Sequence, residues 1–246
     1  MSVSDFPVTG NAGGAPRPLA SPERDLALWW CPLARDAAEM PALWATLSPE
    51  EVARAGRYGT DALRQRYVVG RAALRWTLAR RLGVEPATVA IRRGARGRPM
   101  LDEGRAPDFN VTHTLGVALI AHLDRPGWRV GVDIEGVDRT LAHDGLARKF
   151  LTGRERAAIA TLDDDARRRA FLRLWTCKEA MSKATGEGLS APFREIGIDT
   201  SAGLVVTEGP APYTPRRWAL HPVEVSEGLY ATVALWSMAE DPGNPR

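Results

Sequence analysis

The chain has 246 residues, of which 44% are hydrophobic and 26% charged, with a formal net charge of +3. That balance suits a globular protein of one large domain or two compact halves and excludes wholesale disorder. No apolar run reaches membrane-spanning length, and two cysteines, Cys31 and Cys177, cannot build a disulfide framework or a cysteine-rich zinc site.

The opening residues place Asp5 before any apolar run and carry no Lys or Arg before Arg17, unlike a secretory signal. A cytoplasmic protein without a membrane partner is expected. The histidines, at 113, 122, 143 and 221, lack the close spacing of a zinc hydrolase. The mild positive charge would suit a phosphorylated ligand, and an Arg-rich composition accounts for it equally well.

Residues 1–25 are rich in Gly and Pro and read as a flexible arm; residues 241–246 read as a similar tail. Leu26–Trp30 suits a strand. Ser48-Pro49-Glu50-Glu51 is a capping box with Pro at the first helical position. A helix is predicted over 61–82, ended by Gly83. Leu63, Tyr67, Leu74, Leu78 and Leu82 form its apolar stripe, and Arg64, Arg71 and Arg75 a basic one. Val89–Arg92 reads as a strand before a loop with Gly94, Gly97 and Pro99. Phe109–Val111 and Val117–Leu123 read as strands around a turn, His113-Thr114-Leu115-Gly116, and Val130–Ile134 as another strand.

Thr152-Gly153-Arg154-Glu155 is a second capping box. The Asp163–Asp165 run reads as a solvated turn before a helix over about 166–185, stopped by Gly186. Short strand-like segments follow at 196–198, 204–206, 218–220 and 230–236. Strands and helices mix without βαβ alternation, which favours α+β, and no internal repeat is visible.

Three places carry chemistry. Asp133 and Glu135 in G-V-D-I-E point to one side of a strand, with Val132 and Ile134 on the other. Paired carboxylates repel unless a cation or proton lies between them, and hard oxygen ligands suit Mg²⁺; solvated edge residues are the plainer reading. Trp175, Glu179 and Lys183 share a helical face, where Glu and Lys would form an exposed pair or divide acid and base roles in a cleft. Gly97-Arg98-Pro99 and F-N-V-T-H-T, residues 109–114, could offer hydroxyls, an imidazole and backbone N–H groups to phosphate. A lone His in a turn is more often structural.

Together, G-R-P, F-N-V-T-H-T, G-V-D-I-E and W-T-C-K-E-A-M-S-K-A-T-G-E-G-L resemble the larger, Sfp-type class of 4′-phosphopantetheinyl transferases. The upstream S-P-E-E and R-x-R-Y-V-V-G-R-A-A-L-R segments are similar too. The resemblance implies two similar α+β halves related by a pseudo-twofold axis, here 26–125 and 126–240, and a monomer. It implies that coenzyme A lies between the halves and gives its phosphopantetheine to a serine of an apo acyl or peptidyl carrier protein. Asp133, Glu135 and Glu179 match the Mg²⁺ ligands, and Lys183 the lysine near the pyrophosphate. Thr112 and His113 match contacts to coenzyme A phosphates, Arg66 and Arg54 contacts to the 3′-phosphate, and Gly97, Arg98 and Pro99 the loop beside the adenine. Glu179, directly or through a metal-bound water, is the expected base. Thr112 and Thr114 stand where serines are usual, and Cys177 is read as packing. Carriers of fatty-acid, polyketide, nonribosomal-peptide or aminoadipate systems all fit.

A metal-dependent nuclease also uses acidic ligands and a lysine, and the Arg stripe could meet a nucleic-acid backbone. Against it, a nuclease has no need of the G-R-P and F-N-V-T-H-T pair, so no nucleic-acid partner is expected. A binding module that has lost catalysis would not be expected to keep every metal and lysine position filled.

Overall fold

The computed structural model describes residues 5–7, 14–94, 96–102, 107–114, 116–137 and 143–239. The first part holds strands β1 (Arg17–Leu19) and β2 (Leu26–Pro32), then helices α1 (Met40–Trp44), α2 (Pro49–Ala55) and α3 (Asp61–Leu82). Strands β3 (Ile91–Arg93), β4 (Pro99–Leu101), β5 (Asp108–Thr114) and β6 (Val117–Leu123) complete it. The second part runs through β7 (Trp128–Gly136), α4 (His143–Phe150), α5 (Gly153–Ala160) and α6 (Asp164–Thr185). Strands β8 (Gly197–Asp199), β9 (Val205–Glu208), β10 (Trp218–Pro222) and β11 (Leu229–Ser237) end it. The sheets are antiparallel and the helices lie against them, so the class is α+β as expected.

Both capping boxes form. Ser48 and Glu51 satisfy each other's backbone amides, and Thr152 and Glu155 do the same. Each capping glutamate then reaches into the next long helix. Glu51 accepts from Arg71 at 2.7 Å and Arg75 at 2.6 Å on α3, and Glu155 from Lys178 at 2.7 Å on α6. Both long helices have 22 residues, an oxygen-bearing N-cap (Thr60, Asp163) and a left-handed Gly C-cap (Gly83, Gly186). The box, the buried ion pair and the capped helix therefore occur twice at near-constant spacing. A repeat invisible in the letters exists in the chemistry, because Ser-for-Thr and Arg-for-Lys exchanges preserve each role.

One sheet has the order β1-β2-β6-β5, the other β10-β11-β7. Strand alternation divides the core. Ala118 and Ile120 of β6 pack under α3, while Val117, Leu119, Ala121 and Leu123 join Val130, Val132 and Ile134 of β7 between the sheets. A further core under α6 includes Phe171, Cys177, Met181 and Phe193.

Several expectations need correction. The 1–25 arm is partly built in: β1 pairs with β2, and Phe6 packs edge-on against Trp76 in the α3 core. Part of that arm and the 241–246 tail lie outside the described residues. Leu63 of the apolar stripe is exposed. The basic stripe is not a surface for ligand, since Arg64 pairs with Asp61 and the other two turn inward to Glu51. His113 and Thr114 belong to β5, and the turn falls at Gly116, whose φ of 81° favours glycine. Helix α6 starts earlier than predicted because Asp163 caps it and Asp165 pairs with Arg168 and Arg169 inside its first turns. Two short helices were not foreseen. The N-cap of α1, Glu39, makes no side-chain capping bond, and α4 is docked by Ala147 and Phe150.

Candidate active site

A glycine decides how closely the site is assembled. On β7, Val130, Val132 and Ile134 enter the core between the sheets, which leaves Gly131, Asp133 and Glu135 toward α6. A Cβ on Gly131 would fall 1.9 Å from the Ala180 carbonyl oxygen and 2.7 Å from the Ala184 amide nitrogen. Only glycine lets the helix backbone lie directly on the strand. Both carboxylates are consequently buried, Asp133 4% and Glu135 8% exposed, which excludes the reading as solvated edge residues.

The shared helical face of Trp175, Glu179 and Lys183 is present, but its pairing differs from the expected one. Lys183 Nζ donates to Asp133 Oδ1 at 2.6 Å, to Thr112 Oγ1 at 3.0 Å and to the Val132 carbonyl at 3.3 Å. Thr112 donates onward to Asp133 Oδ1 at 3.2 Å, and Trp175 Nε1 to Glu135 Oε1 at 3.3 Å. Asp133 is the more deeply buried of the two carboxylates, and it takes the ammonium.

Glu179 keeps a different character. Burial, then the neighbouring Asp133 charge, push its carboxyl up to about 7, against a smaller pull from Lys183. Glu179 Oε1 and Asp133 Oδ2 are buried without a hydrogen-bond partner. Two orphaned carboxylate oxygens beside a third carboxylate form a donor set suited to a hard divalent cation. Among the described residues no three His, Cys, Asp or Glu side chains stand in ready metal-holding geometry, since Lys183 and Trp175 occupy oxygens of two of these carboxylates.

Strand β5 is tied to β7 by alternate side chains. Asp108 Oδ2 accepts from the Val130 amide at 2.8 Å, Asn110 Oδ1 from the Val132 amide at 3.1 Å, and Thr112 donates to Asp133. Sequence reasoning missed Asp108 and Asn110, although the period-two spacing with Thr112 was readable. His113 lies on the exposed side of the strand. The protein beneath it, then the charges of Lys183 and Arg66, hold its imidazole below the usual range. Arg66, exposed on α3, is therefore close enough to act on His113. Arg54 lies over the Tyr67 ring and, with Arg57, Tyr58 and Arg93, lines a cavity of 600 Å³. Arg57 was signalled by its spacing from Arg54; nothing local marked Arg93.

Gly97, with φ 80°, makes the turn before Arg98 and Pro99, and the Arg98 guanidinium points inward. Cys177 is fully buried with its thiol pushed up to about 12, chiefly by burial, which fits packing and not nucleophilic chemistry.

Cation-seeking oxygens thus lie within reach of an ammonium, and arginines and a histidine stand outside them, an order that suits an anionic ligand lying across a bound metal. Fold and site together are those of an α+β protein suited to phosphate-group chemistry. Comparison with known proteins narrows the class. Residues 129–234 match the 4′-phosphopantetheinyl transferase superfamily, and residues 29–123 match the N-terminal model of 4′-phosphopantetheinyl transferases. The chain is 36% identical over 212 residues to the 4′-phosphopantetheinyl transferase HetI of Nostoc sp., covering 85% of this chain and 86% of that protein. It is 24% identical over 170 residues to the 4′-phosphopantetheinyl transferase Sfp of Bacillus subtilis, covering 69% and 74%. A solved holo-[acyl-carrier-protein] synthase of Thermotoga maritima aligns over 45% of this chain and 63% of its own, at 19% identity and a TM-score of 0.37, too low to carry weight. This chain belongs to the 4′-phosphopantetheinyl transferase superfamily.

Proposed function

We infer that the protein transfers the 4′-phosphopantetheine group of coenzyme A to a serine of an apo acyl or peptidyl carrier protein and releases adenosine 3′,5′-bisphosphate. The observation that carries this is the junction of Lys183, Asp133 and Thr112 beside Glu179, whose carboxyl is poised near 7. The nuclease reading loses its support because two of the three arginines it needs are engaged by Glu51. Loss of catalysis is equally unsupported, since all four polar residues of the centre are present.

Asp133, Glu135 and Glu179 would hold Mg²⁺, which when bound supplies positive charge to the pyrophosphate. Arg66 and Arg54 meet the 3′-phosphate, His113 the inner phosphates, and the backbone around Gly97 and Pro99 the adenine. Thr112, buried and with its one hydroxyl hydrogen given to Asp133, holds Asp133 and Lys183 together instead of meeting phosphate. The carrier serine hydroxyl gives its proton to Glu179. The serine oxygen forms a bond to the β-phosphorus as the bond to the bridging oxygen breaks. Lys183 stabilises the oxygen that leaves. Holding both reactants in line lowers the barrier further.

We place the enzyme in the cytoplasm as a monomer. Both cysteines are buried and unpaired, which suits a reducing compartment, and no described helix is long and apolar enough to cross a membrane. Incubation with coenzyme A, Mg²⁺ and apo carriers of several classes, read by intact mass, tests the reading. A carrier should gain the mass of phosphopantetheine, and no gain with any class would overturn it.

A further inference from the structure

We propose that Arg98 is a positioning residue that fixes Lys183 from behind, acting through the backbone of α6 and not by touching ligand. The proposal rests on Lys183 serving the transferred pyrophosphate.

The Arg98 guanidinium has five N–H donors, and protein acceptors take all of them. Nε donates to the Lys183 carbonyl at 3.0 Å. Nη1 reaches Asp108 Oδ1 at 2.9 Å and the Pro99 carbonyl at 3.5 Å. Nη2 reaches Asp108 Oδ2 at 2.7 Å, the Phe109 carbonyl at 3.1 Å and the Val130 carbonyl at 2.8 Å. The side chain is 8% exposed. It therefore joins β5, β7 and α6 at one point, and no donor remains for a nucleotide.

The acceptor on α6 is significant. The last four carbonyls of a helix lack partners within it, and Lys183 lies in the last turn of α6. Arg98 satisfies the carbonyl of the residue whose ammonium reaches Asp133. The stem of Arg98 also packs against the helix end, where a Cβ on Gly186 would meet its Cβ at 3.5 Å and Cδ at 3.6 Å. Next to it, Arg96 pairs with Glu187 at 2.9 Å, itself held by Tyr213 at 2.7 Å. Arg96 is largely exposed and that pair is weak, so the buried fork of Arg98 sets the register. A lysine would keep the charge but could not hold Asp108 and three elements at once.

The test uses the full chain with Arg98→Lys, Lys183→Ala and both together, and Arg98→Ala where it folds. Two readouts are independent. The first is steady-state transfer to a carrier that the wild type modifies. Arg98→Lys should lower kcat about 10- to 100-fold, with KM for coenzyme A within about threefold. Adding it to Lys183→Ala should change kcat less than about twofold, because residues acting as a unit are not additive. The second is the rate at which trace acetic anhydride labels Lys183, read by peptide mass without substrate. Arg98→Lys should raise it several-fold. A raised KM with unchanged kcat would show a ligand contact, and full additivity with Lys183→Ala would show action elsewhere; either overturns the proposal. Unchanged labelling of Lys183 overturns it whatever the activity. A wild type that modifies no carrier defeats the functional reading alone, and the labelling result then decides the proposal.

Discussion

Lys183 Nζ lies 2.6 Å from Asp133 Oδ1, so the ammonium on α6 is paired across the sheet–helix contact and not along its own helix. The pairing leaves Glu179, one turn away, as a carboxylate with an orphaned oxygen. Two neighbouring acids thereby take different roles. Asp133 is fixed by Lys183 through one oxygen and keeps the other for a metal, and Glu179 is open to a proton or a metal.

Lys183→Ala is expected to lower kcat about 100-fold or more, with a smaller effect on coenzyme A affinity, because leaving-group charge grows mainly in the transition state. It also leaves Asp133 buried without its cation. A stability loss of about 1–3 kcal/mol is expected, below the figure for a fully buried pair because Lys183 is 27% exposed. Steady-state kinetics and thermal melts check both parts, and near-normal kcat would return Lys183 to a structural role.

Glu179→Gln removes a desolvated charge that faces Asp133 and Glu135. In chelator near pH 8 the variant should melt at a higher temperature than the wild type, while transfer falls strongly and needs more Mg²⁺. A variant that is less stable without metal, or fully active, would contradict this account of the carboxylate cluster.

Gly131→Ala should cost about 1–3 kcal/mol, since its methyl would meet helix backbone that has no rotamer to yield. Because α6 must lift from β7, transfer should fall out of proportion to stability. Calorimetry beside kinetics measures the two separately. An active, equally stable variant would mean that the helix approach is not as tight as 1.9 Å implies.

Arg66→Ala should weaken coenzyme A binding by about 1.5–3 kcal/mol and dephospho-coenzyme A binding much less, as a charge-assisted phosphate contact predicts. Titration calorimetry with both ligands decides it; equal losses would remove Arg66 from the 3′-phosphate.

His122 gives the pH dependence. Its ring is fully buried on β6 against Thr77 Oγ1 at 3.2 Å, and burial pushes its pKa down to about 3. An unfolded imidazole takes up a proton near pH 6.5, so between about 6.5 and 3 the unfolded chain binds the extra proton. Stability is complete above that window and falls as pH drops through it, by up to about 1.4 kcal/mol per unit. His122→Leu should flatten the melting profile between pH 4 and 6.5. An unchanged slope would assign acid lability to other groups.

Much of this protein is fixed by interactions within a few residues along the chain. Ser48 with Glu51, Thr152 with Glu155, Gly83 and Gly186 mark helix ends through backbone groups that must find partners nearby. The alternation of Val132, Asp133, Ile134 and Glu135 and the common face of Trp175, Glu179 and Lys183 follow from the periods of strand and helix. Those local rules put two carboxylates on one strand face and a Glu–Lys pair on one helix face; that the two features form one site was implied only by the family resemblance. They could not say which acid takes Lys183, that α6 buries Asp133 and Glu135, or that Arg71, Arg75 and Arg98 turn inward. Each of those outcomes depends on segments distant in the chain meeting at a contact: Gly131 under Ala180, Glu51 under Arg75, Asp108 beside Arg98. Burial there raises the cost of an unpaired charge, and tertiary packing therefore chooses the partner.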